Sequence, residues 1–207
     1  MKGAVLGSPI SHSLSPVLHK AAFEFLGLEG TYSAIEVTSG TLQEFVQTRG
    51  SEFDYLSLTM PLKEEVLALD VEVDELTRRV QSGNTLINRD NTWSLTSTDG
   101  SGLVAALAHA GLREFESVLI LGAGGTARAV AGALDSNTKN LHVLGRSSVR
   151  QEALESAVIK TNFEYHRWSL DVDFSKYDLV VNTTPAGAAD LLANSVHPGI
   201  PATLFDV

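Results

Sequence analysis

The stretch "VLILGAGGTARAV", residues 118–130, decides the predicted fold of the second half of the chain. An apolar run leads into a glycine turn, and an alanine-rich helical pattern follows. Gly122, Gly124 and Ala127 match the spacing G-x-G-x-x-G/A, in which the glycines allow a tight turn and close approach of a pyrophosphate, and the small third residue lets helix pack on strand. Such a turn can also be purely structural. The strand before it, the helix after it and a second strand at the right distance favour a dinucleotide site, with phosphate on the helix N-terminus.

The end of that second strand, "HVLGRSSVR" at residues 142–150, indicates which dinucleotide binds. Enzymes that use NAD commonly carry an acidic residue there for the ribose 2′-hydroxyl. This chain has Arg146 and Arg150 instead, with Ser147 as a further hydroxyl donor. A guanidinium forms forked, charge-assisted hydrogen bonds with phosphate. By itself, an arginine at a strand end is most simply interpreted as a solvent-exposed side chain. Because this one follows a glycine turn typical of dinucleotide sites, it favours NADP as the cofactor.

Along the whole chain, apolar runs alternate with helical segments in two series that separate near residues 98–111. This alternation predicts an α/β protein of two domains, 1–99 and 100–207, with parallel sheets covered by helices on both faces. The "RDN" turn predicts a hairpin. We predict strands at 3–6, 32–37, 55–59, 85–88, 92–96, 117–121, 141–144, 163–168, 178–182 and 204–207, and helices at 16–26, 41–48, 62–69, 101–110, 126–134 and 149–158.

Composition excludes several classes of function. The net charge of −10 argues against a general nucleic-acid or anionic-membrane binder. With no cysteine among 207 residues, disulfides, thiolate nucleophiles and thiolate zinc sites are excluded. The N-terminal apolar run is too short for a signal peptide, and no run is long enough to span a membrane. We therefore expect a cytoplasmic protein.

The first half carries three candidate site segments. "GAVLGSPISHSLSPVLHKA", residues 3–21, places Ser13 and Ser15 beside a helix start, where both hydroxyls could bind one carboxylate, although Ser15 also reads as an ordinary N-cap. In "YLSLTMPLKEEV", residues 55–66, Lys63 stands at the start of a predicted helix, where the dipole disfavours a cation. The usual alternative is that such a lysine is an ordinary surface residue with no role in a site. Asp99 in "TSTDGSG" could be an N-cap, and spacing alone does not pair it with Lys63.

Six ordered motifs resemble the shikimate dehydrogenase family and span most of the chain. Their matching residues are Gly7, Pro9, Ile10, His12, Ser13, Ser15, Pro16 and His19; Thr59, Pro61 and Lys63; Gly83, Asn84, Thr85 and Leu86; Thr98, Asp99 and Gly100; the loop from Gly122 to Ala129; and Asn182, Thr184, Pro185 and Gly187.

The resemblance implies reduction of 3-dehydroshikimate to shikimate with NADPH, in a cleft between a substrate domain and a Rossmann-like NADP domain. Ser13 and Ser15 would hold the substrate carboxylate, and Thr59, Asn84 and Asp99 the ring hydroxyls. Lys63, paired with Asp99, would be catalytic, and no metal is implied. The partner is a small molecule, with a homodimer possible and no nucleic acid or membrane. The cofactor residues would be Gly122, Ala123, Gly124, Gly125, Thr126, Ala127, Arg146, Ser147, Arg150, Asn182, Thr183 and Thr184.

Departures from the family pattern leave alternatives open. Gly145 replaces an asparagine before the arginine, and Lys20, Ser57, Ser97 and Ala188 also differ from the residues common in the family. Family members continue past "FDV", so we expect the sequence to be a fragment. One alternative is an enzyme that acts on quinate or has broader specificity, but the intact Ser13/Ser15 pair favours shikimate as the substrate. A non-catalytic nucleotide-binding relative is another, and the retention of both Lys63 and Asp99 argues against it.

Overall fold

A computed structural model of the protein describes residues 1–194, 196 and 199–207. The chain divides into two compact units, Met1–Thr98 and Asp99–Val207. Each unit contains its own β-sheet and its own apolar core, so the expected α/β class is confirmed. Within the described part of the chain, no helix is both long enough and apolar enough to cross a membrane.

The first unit is built on a six-stranded sheet in the order β2-β1-β3-β5-β6-β4. Its strands are β1 (Lys2–Gly7), β2 (Thr31–Glu36), β3 (Tyr55–Leu58), β4 (Glu72–Val73), β5 (Thr85–Arg89) and β6 (Thr92–Thr96). Its α-helices are α1 (Ser15–Leu26), α2 (Leu42–Arg49), α3 (Leu62–Glu65) and α4 (Glu75–Val80), and 3-10 turns cover Gly50–Glu52 and Val66–Ala68.

This first sheet is mixed, which corrects the expectation of a purely parallel one. β1 runs parallel to β2 and β3, but β5 pairs antiparallel with both β3 and β6. The predicted hairpin accounts for the β5–β6 pairing, because Asp90 and Asn91 both adopt positive φ angles, 51° and 64°, and reverse the chain in two residues. The antiparallel β3–β5 pairing is a separate, long-range contact. The short β4 and α4 that follow the predicted helix at 62–69 were not anticipated.

The core of the first unit lies between this sheet and the helices that follow its strands. Fully buried leucines from several elements meet there, among them Leu6 of β1, Leu42 of α2 and Leu56 of β3. Leu62 and Val66, on either side of Lys63, are also 0% exposed. Their burial anchors the segment that carries the lysine.

The second unit is built on a parallel five-stranded sheet in the order β11-β10-β7-β8-β9. Its strands are β7 (Phe115–Leu121), β8 (Thr138–Gly145), β9 (Asn162–Arg167), β10 (Leu179–Asn182) and β11 (Thr203–Asp206). Its α-helices are α5 (Asp99–His109), α6 (Gly125–Leu134), α7 (Gln151–Ala157) and α8 (Asp190–Ala193), with 3-10 turns at Ser148–Arg150 and Phe174–Lys176.

Alternate residues of β7 enter two different apolar clusters, so both faces of this sheet are covered. Val118 and Ile120 pack with α5, α6 and α7 in one cluster, whereas Leu119 and Leu121 pack in the other with Phe174 and α8. β7 is central, with β8 on one side and β10 on the other. The carboxyl end of β7 is therefore the switch point at which open α/β sheets bind ligands.

Candidate functional site

The glycine turn lies at this switch point. Gly122 directly follows β7 with a φ of 108°, which L side chains rarely adopt, and its N–H donates to the Leu144 carbonyl of β8 at 2.9 Å. A Cβ added at Gly122 would lie 2.6 Å from the Thr183 hydroxyl oxygen. Both the conformation and the space therefore require glycine, and the turn brings the backbone ends of β7, β8 and β10 together.

The start of α6 presents backbone N–H groups beside this turn. Gly124 precedes the helix, and no side chain from the described residues caps it. The ten-residue helix has no acidic residue in its first turn, and Ala127 is 0% exposed. The small side chain lets α6 pack closely on the sheet, as the fingerprint predicts. A Cβ at Gly124 would lie 4.0 Å from an Arg150 guanidinium nitrogen, so Arg150 stands next to the turn.

The end of β8 explains a departure from the family pattern. A Cβ at Gly145 would overlap the Tyr165 hydroxyl and lie 2.6 Å from its Cζ. That hydroxyl instead donates to the Ser147 carbonyl at 2.6 Å. Burial raises the pKa of Tyr165, so the phenol remains a donor at neutral pH. Glycine at position 145 thus makes room for a tyrosine that holds the exposed Arg146–Ser147 segment, a role not predicted from the sequence.

The residues after β10 are held by a dense set of hydrogen bonds. The Thr183 N–H and hydroxyl both donate to the Leu121 carbonyl, at 2.9 and 2.8 Å. The Thr184 N–H and hydroxyl donate to Asn182 Oδ1, while Asn182 Nδ2 donates to Asp206 at 2.7 Å. Asn182 and Thr183 therefore shape the wall beside Gly122. Their predicted contact with the cofactor stays a prediction.

In the first unit, Ser13 and Ser15, the residues predicted to bind the substrate carboxylate, are in contact with each other. Ser15 does not cap α1 as expected. Ser15 is the first residue of the helix rather than its N-cap, which is Leu14 in a helical conformation. The Ser13 hydroxyl accepts a hydrogen bond from the Ser15 N–H at 3.3 Å. The serine hydroxyl that bonds the helix start therefore comes from position 13, because Leu14 already adopts helical angles. Both serines are half-buried.

Backbone hydrogen bonds bring Thr59, Lys63 and Asn84 to one edge of the first sheet. The Thr59 N–H donates to Leu6, at the end of β1, and the Gly83 N–H donates to the Lys63 carbonyl at 2.8 Å. Asn84 Oδ1 accepts from the Thr98 N–H at 2.9 Å and from its hydroxyl at 3.1 Å. Thr59, Lys63 and Asn84 are half-buried. This edge combines hydroxyl, amide and ammonium groups, which suits a small polyhydroxylated ligand.

The helix-dipole argument for Lys63 is wrong, because α3 is a single turn, Leu62–Glu65, followed by a 3-10 turn. One turn has too few aligned peptides for a large dipole. Asp99 opens α5 and belongs to the second unit, whereas Lys63 belongs to the first. Their pairing stays a prediction.

An aromatic cluster next to α1 was also missed by sequence reasoning. His19 stacks on Tyr32 at 3.7 Å between ring centroids, and its Nδ1 lies 2.9 Å from the Ser15 carbonyl. The Tyr32 hydroxyl donates to the Ser57 hydroxyl at 2.7 Å. Burial raises the pKa of Tyr32 and, together with nearby Tyr32 and Asp54, raises that of Tyr55 to about 12. His19 therefore lies within a packed cluster, and the departure from the family pattern at Ser57 is the signal that could have indicated this cluster.

Comparison with known proteins gives a consistent result. The family model described as the shikimate dehydrogenase substrate binding domain matches residues 5–86. A shikimate dehydrogenase (NADP(+)) of Staphylococcus aureus strain MSSA476 is 38% identical over 199 residues, covering 91% of this chain and 70% of that protein. Another, from an Exiguobacterium species, is 37% identical over 191 residues, covering 90% and 69%.

A solved structure extends this similarity to three dimensions. The shikimate 5-dehydrogenase of Thermus thermophilus, in complex with NADP(H) and shikimate, is 34% identical, with a TM-score of 0.76. The match covers 89% of this chain and 68% of that one. The similarity therefore includes both units rather than the glycine turn alone.

Proposed function

This chain belongs to the shikimate dehydrogenase family, and on that basis we propose that it interconverts 3-dehydroshikimate and shikimate with NADP(H). The observation that best supports this function is the Gly122 turn at the switch point of the second sheet. Beside it, Arg146 follows the end of β8, where enzymes that use NAD carry an acidic residue. The relatives' names and the Thermus thermophilus complex support the same substrate and cofactor. In this assignment the first unit is the substrate domain and the second the NADP domain, and the two compact units divide one residue before the predicted bounds of 1–99 and 100–207.

The second unit fits the cofactor on its own geometry. A Cβ at Gly122 would fill the space beside Thr183, and the uncapped α6 start offers N–H donors to a pyrophosphate. Residues 122–127 would hold the pyrophosphate, Arg146, Ser147 and Arg150 the 2′-phosphate, and 182–184 the wall of the site. Bound NADPH supplies a hydride to the substrate carbonyl.

The first unit would orient the substrate. Ser13 and Ser15 would donate hydrogen bonds to its carboxylate, and Thr59 and Asn84 would hold ring hydroxyls. The three bonds that Asn84 Oδ1 accepts, from Thr85 and Thr98, fix the plane of its amide in advance. A fixed amide loses less entropy when the substrate binds, which favours one orientation of the ring.

Lys63 would act on the carbonyl oxygen. Negative charge grows on that oxygen during reduction, and the oxygen then needs a proton. A protonated lysine stabilises the charge and delivers the proton. Asp99 would favour the ammonium form and hold a ring hydroxyl. Buried Leu62 and Val66 keep the lysine segment in place.

Turnover assays separate this function from its alternatives. NADPH consumption is measured with 3-dehydroshikimate, and NADP⁺ reduction with shikimate and with quinate. We expect turnover with 3-dehydroshikimate and shikimate and little with quinate. Comparable rates with quinate would point to the broader-specificity enzyme. NADPH binding without turnover of any of these compounds would point to a non-catalytic relative.

Two further predictions concern the protein as a whole. Sedimentation velocity of the full chain tests whether it forms the homodimer that the resemblance allows. Fractionation of the expressing cell tests the predicted cytoplasmic location.

A further inference from the structure

Two histidines and a glutamate meet on strands β8 and β9 of the second sheet. His142 of β8 lies directly opposite Glu164 of β9 in the register, and His166 is two residues further along β9. All three side chains therefore project from the same face. His142 Nδ1 is 3.1 Å from His166 Nε2, and Glu164 Oε2 is 3.5 and 3.4 Å from those two atoms.

These separations are close to the edges of a tetrahedral metal coordination sphere. Zinc bonds to nitrogen or carboxylate oxygen are about 2.0–2.2 Å long, so neighbouring ligands of a tetrahedral ion stand about 3.3–3.6 Å apart. The three atoms form a triangle with sides of 3.1, 3.4 and 3.5 Å. An ion just above its plane would reach all three ligands with little movement of the side chains.

Ordinary hydrogen bonding accounts for the 3.1 Å contact between the two histidines, but it accounts less well for the position of Glu164. A charge-assisted N–H···O bond is typically about 2.7–2.9 Å long. Glu164 instead stays at 3.4–3.5 Å from both imidazole nitrogens. An imidazole nitrogen that carries no proton has a lone pair that can bind a metal.

Of the three side chains, His142 is packed against a neighbouring ring, whereas His166 and Glu164 are accessible to solvent. The His142 side chain is 19% exposed and packs edge-on against Tyr177, with 5.3 Å between centroids. His166 and Glu164 are 42% and 62% exposed, so an ion can enter from that side. Two imidazoles with one carboxylate suit zinc and its neighbours, whereas Mg²⁺ and Ca²⁺ prefer oxygen ligands.

From this geometry we propose that His142, Glu164 and His166 bind a divalent transition-metal ion of the Zn²⁺ class. The fourth coordination position would face solvent. The proposal uses none of the residues assigned to the dehydrogenase reaction and does not depend on that function.

The test is a titration of the untagged full chain after treatment with a chelator. Zn²⁺ is titrated by calorimetry and Co²⁺ by its visible absorption, which is intense in tetrahedral sites. We expect one site per chain, and His166→Gln should weaken binding at least about tenfold. His109→Gln is the matched control, since His109 is exposed at the end of α5. Zn²⁺ should also raise the melting temperature of the wild type more than that of His166→Gln.

Two results would overturn the site. One is a wild-type chain that binds Zn²⁺ no more tightly than about 1 mM. The other is a folded His166→Gln variant with unchanged affinity. Because His166 is half-exposed, this variant should fold normally, and circular dichroism checks that it does. Glu164→Gln adds a second independent ligand test, and excess Mg²⁺ should not displace the ion.

Discussion

At the residue scale, the cofactor preference depends on Arg146 in the exposed segment after β8. A charge-assisted hydrogen bond to phosphate contributes about 1.5–3 kcal/mol. Arg146→Ala should therefore weaken NADPH binding by about one to two decades and leave NADH binding nearly unchanged. Arg113→Ala is the control, because Arg113 is an exposed arginine just before β7, at the opposite end of that strand. Titrations with both cofactors check this, and equal losses for NADPH and NADH would contradict it.

Lys63 is the residue on which the chemical step depends. Loss of a general acid typically lowers the rate by about 10²–10⁴-fold. Lys63→Ala should lower kcat by about that factor with little change in KM, because the loss falls in the transition state. Lys63→Arg keeps the charge but cannot release a proton, so it should restore little activity. Steady-state kinetics with shikimate measure both parameters. A defect confined to KM would make Lys63 a binding residue instead.

Gly145 and Tyr165 should behave as a coupled pair. Gly145→Ala forces a methyl group into the Tyr165 ring and should cost about 1–3 kcal/mol of unfolding free energy. In a Tyr165→Ala background the same change meets no ring, so its cost should nearly vanish. Urea denaturation of the four proteins in this cycle measures the coupling. Additive costs would show that the overlap with Tyr165 is not what requires glycine.

At the element scale, α4 depends on its cap. Asp74 accepts hydrogen bonds from the Thr77 N–H at 2.7 Å and from the Thr77 hydroxyl at 2.9 Å. Burial of Asp74 would raise its pKa, but hydrogen bonds from Thr77, Thr96 and Leu76 outweigh it and lower the pKa. The capped carboxylate therefore stabilises α4, an element that no sequence-based prediction included.

Asp74→Ala should destabilise the protein by about 1 kcal/mol near neutral pH, the usual cost of losing an N-cap. Because the folded-state pKa lies below the ordinary value of 3.8, this contribution is present above that value. It is lost as pH falls through the lower folded-state pKa. Urea denaturation at neutral and acidic pH should show the difference from wild type shrinking in acid. Exposed Asp70→Ala should change stability by less than about 0.5 kcal/mol at either pH.

At the scale of the whole molecule, the chain has separate cores in its two units. Val66 belongs to the core of the first unit and Val143 to a core of the second, and both are 0% exposed. Each valine-to-alanine change should cost about 2 kcal/mol, from lost apolar burial plus a cavity. Because they share no cluster, the double variant should lose the sum within about 0.5 kcal/mol. Chemical denaturation tests this, and a coupling above about 1 kcal/mol would contradict independent cores.

The sequence by itself determined the local elements and the chemistry at their ends. The Gly122 turn, the Asp90–Asn91 hairpin and the run of β7 into α6 were predictable, because backbone conformation and apolar periodicity act within a few residues. The candidate site residues were found by motif spacing, since each motif is short and contiguous. Ser15 was misread because a serine before a helix pattern normally caps it, whereas Leu14 had already entered helical angles.

Only the tertiary structure decided which distant residues meet. Nothing local specifies that β5 pairs antiparallel with β3, because strand order depends on long-range packing. Gly145 needed to be glycine because of Tyr165, which comes from the neighbouring strand. His142 and His166 are 24 positions apart and meet only through the β8–β9 register. Such contacts arise from side chains brought together across a sheet, and a one-residue slip in pairing would turn each to the opposite face.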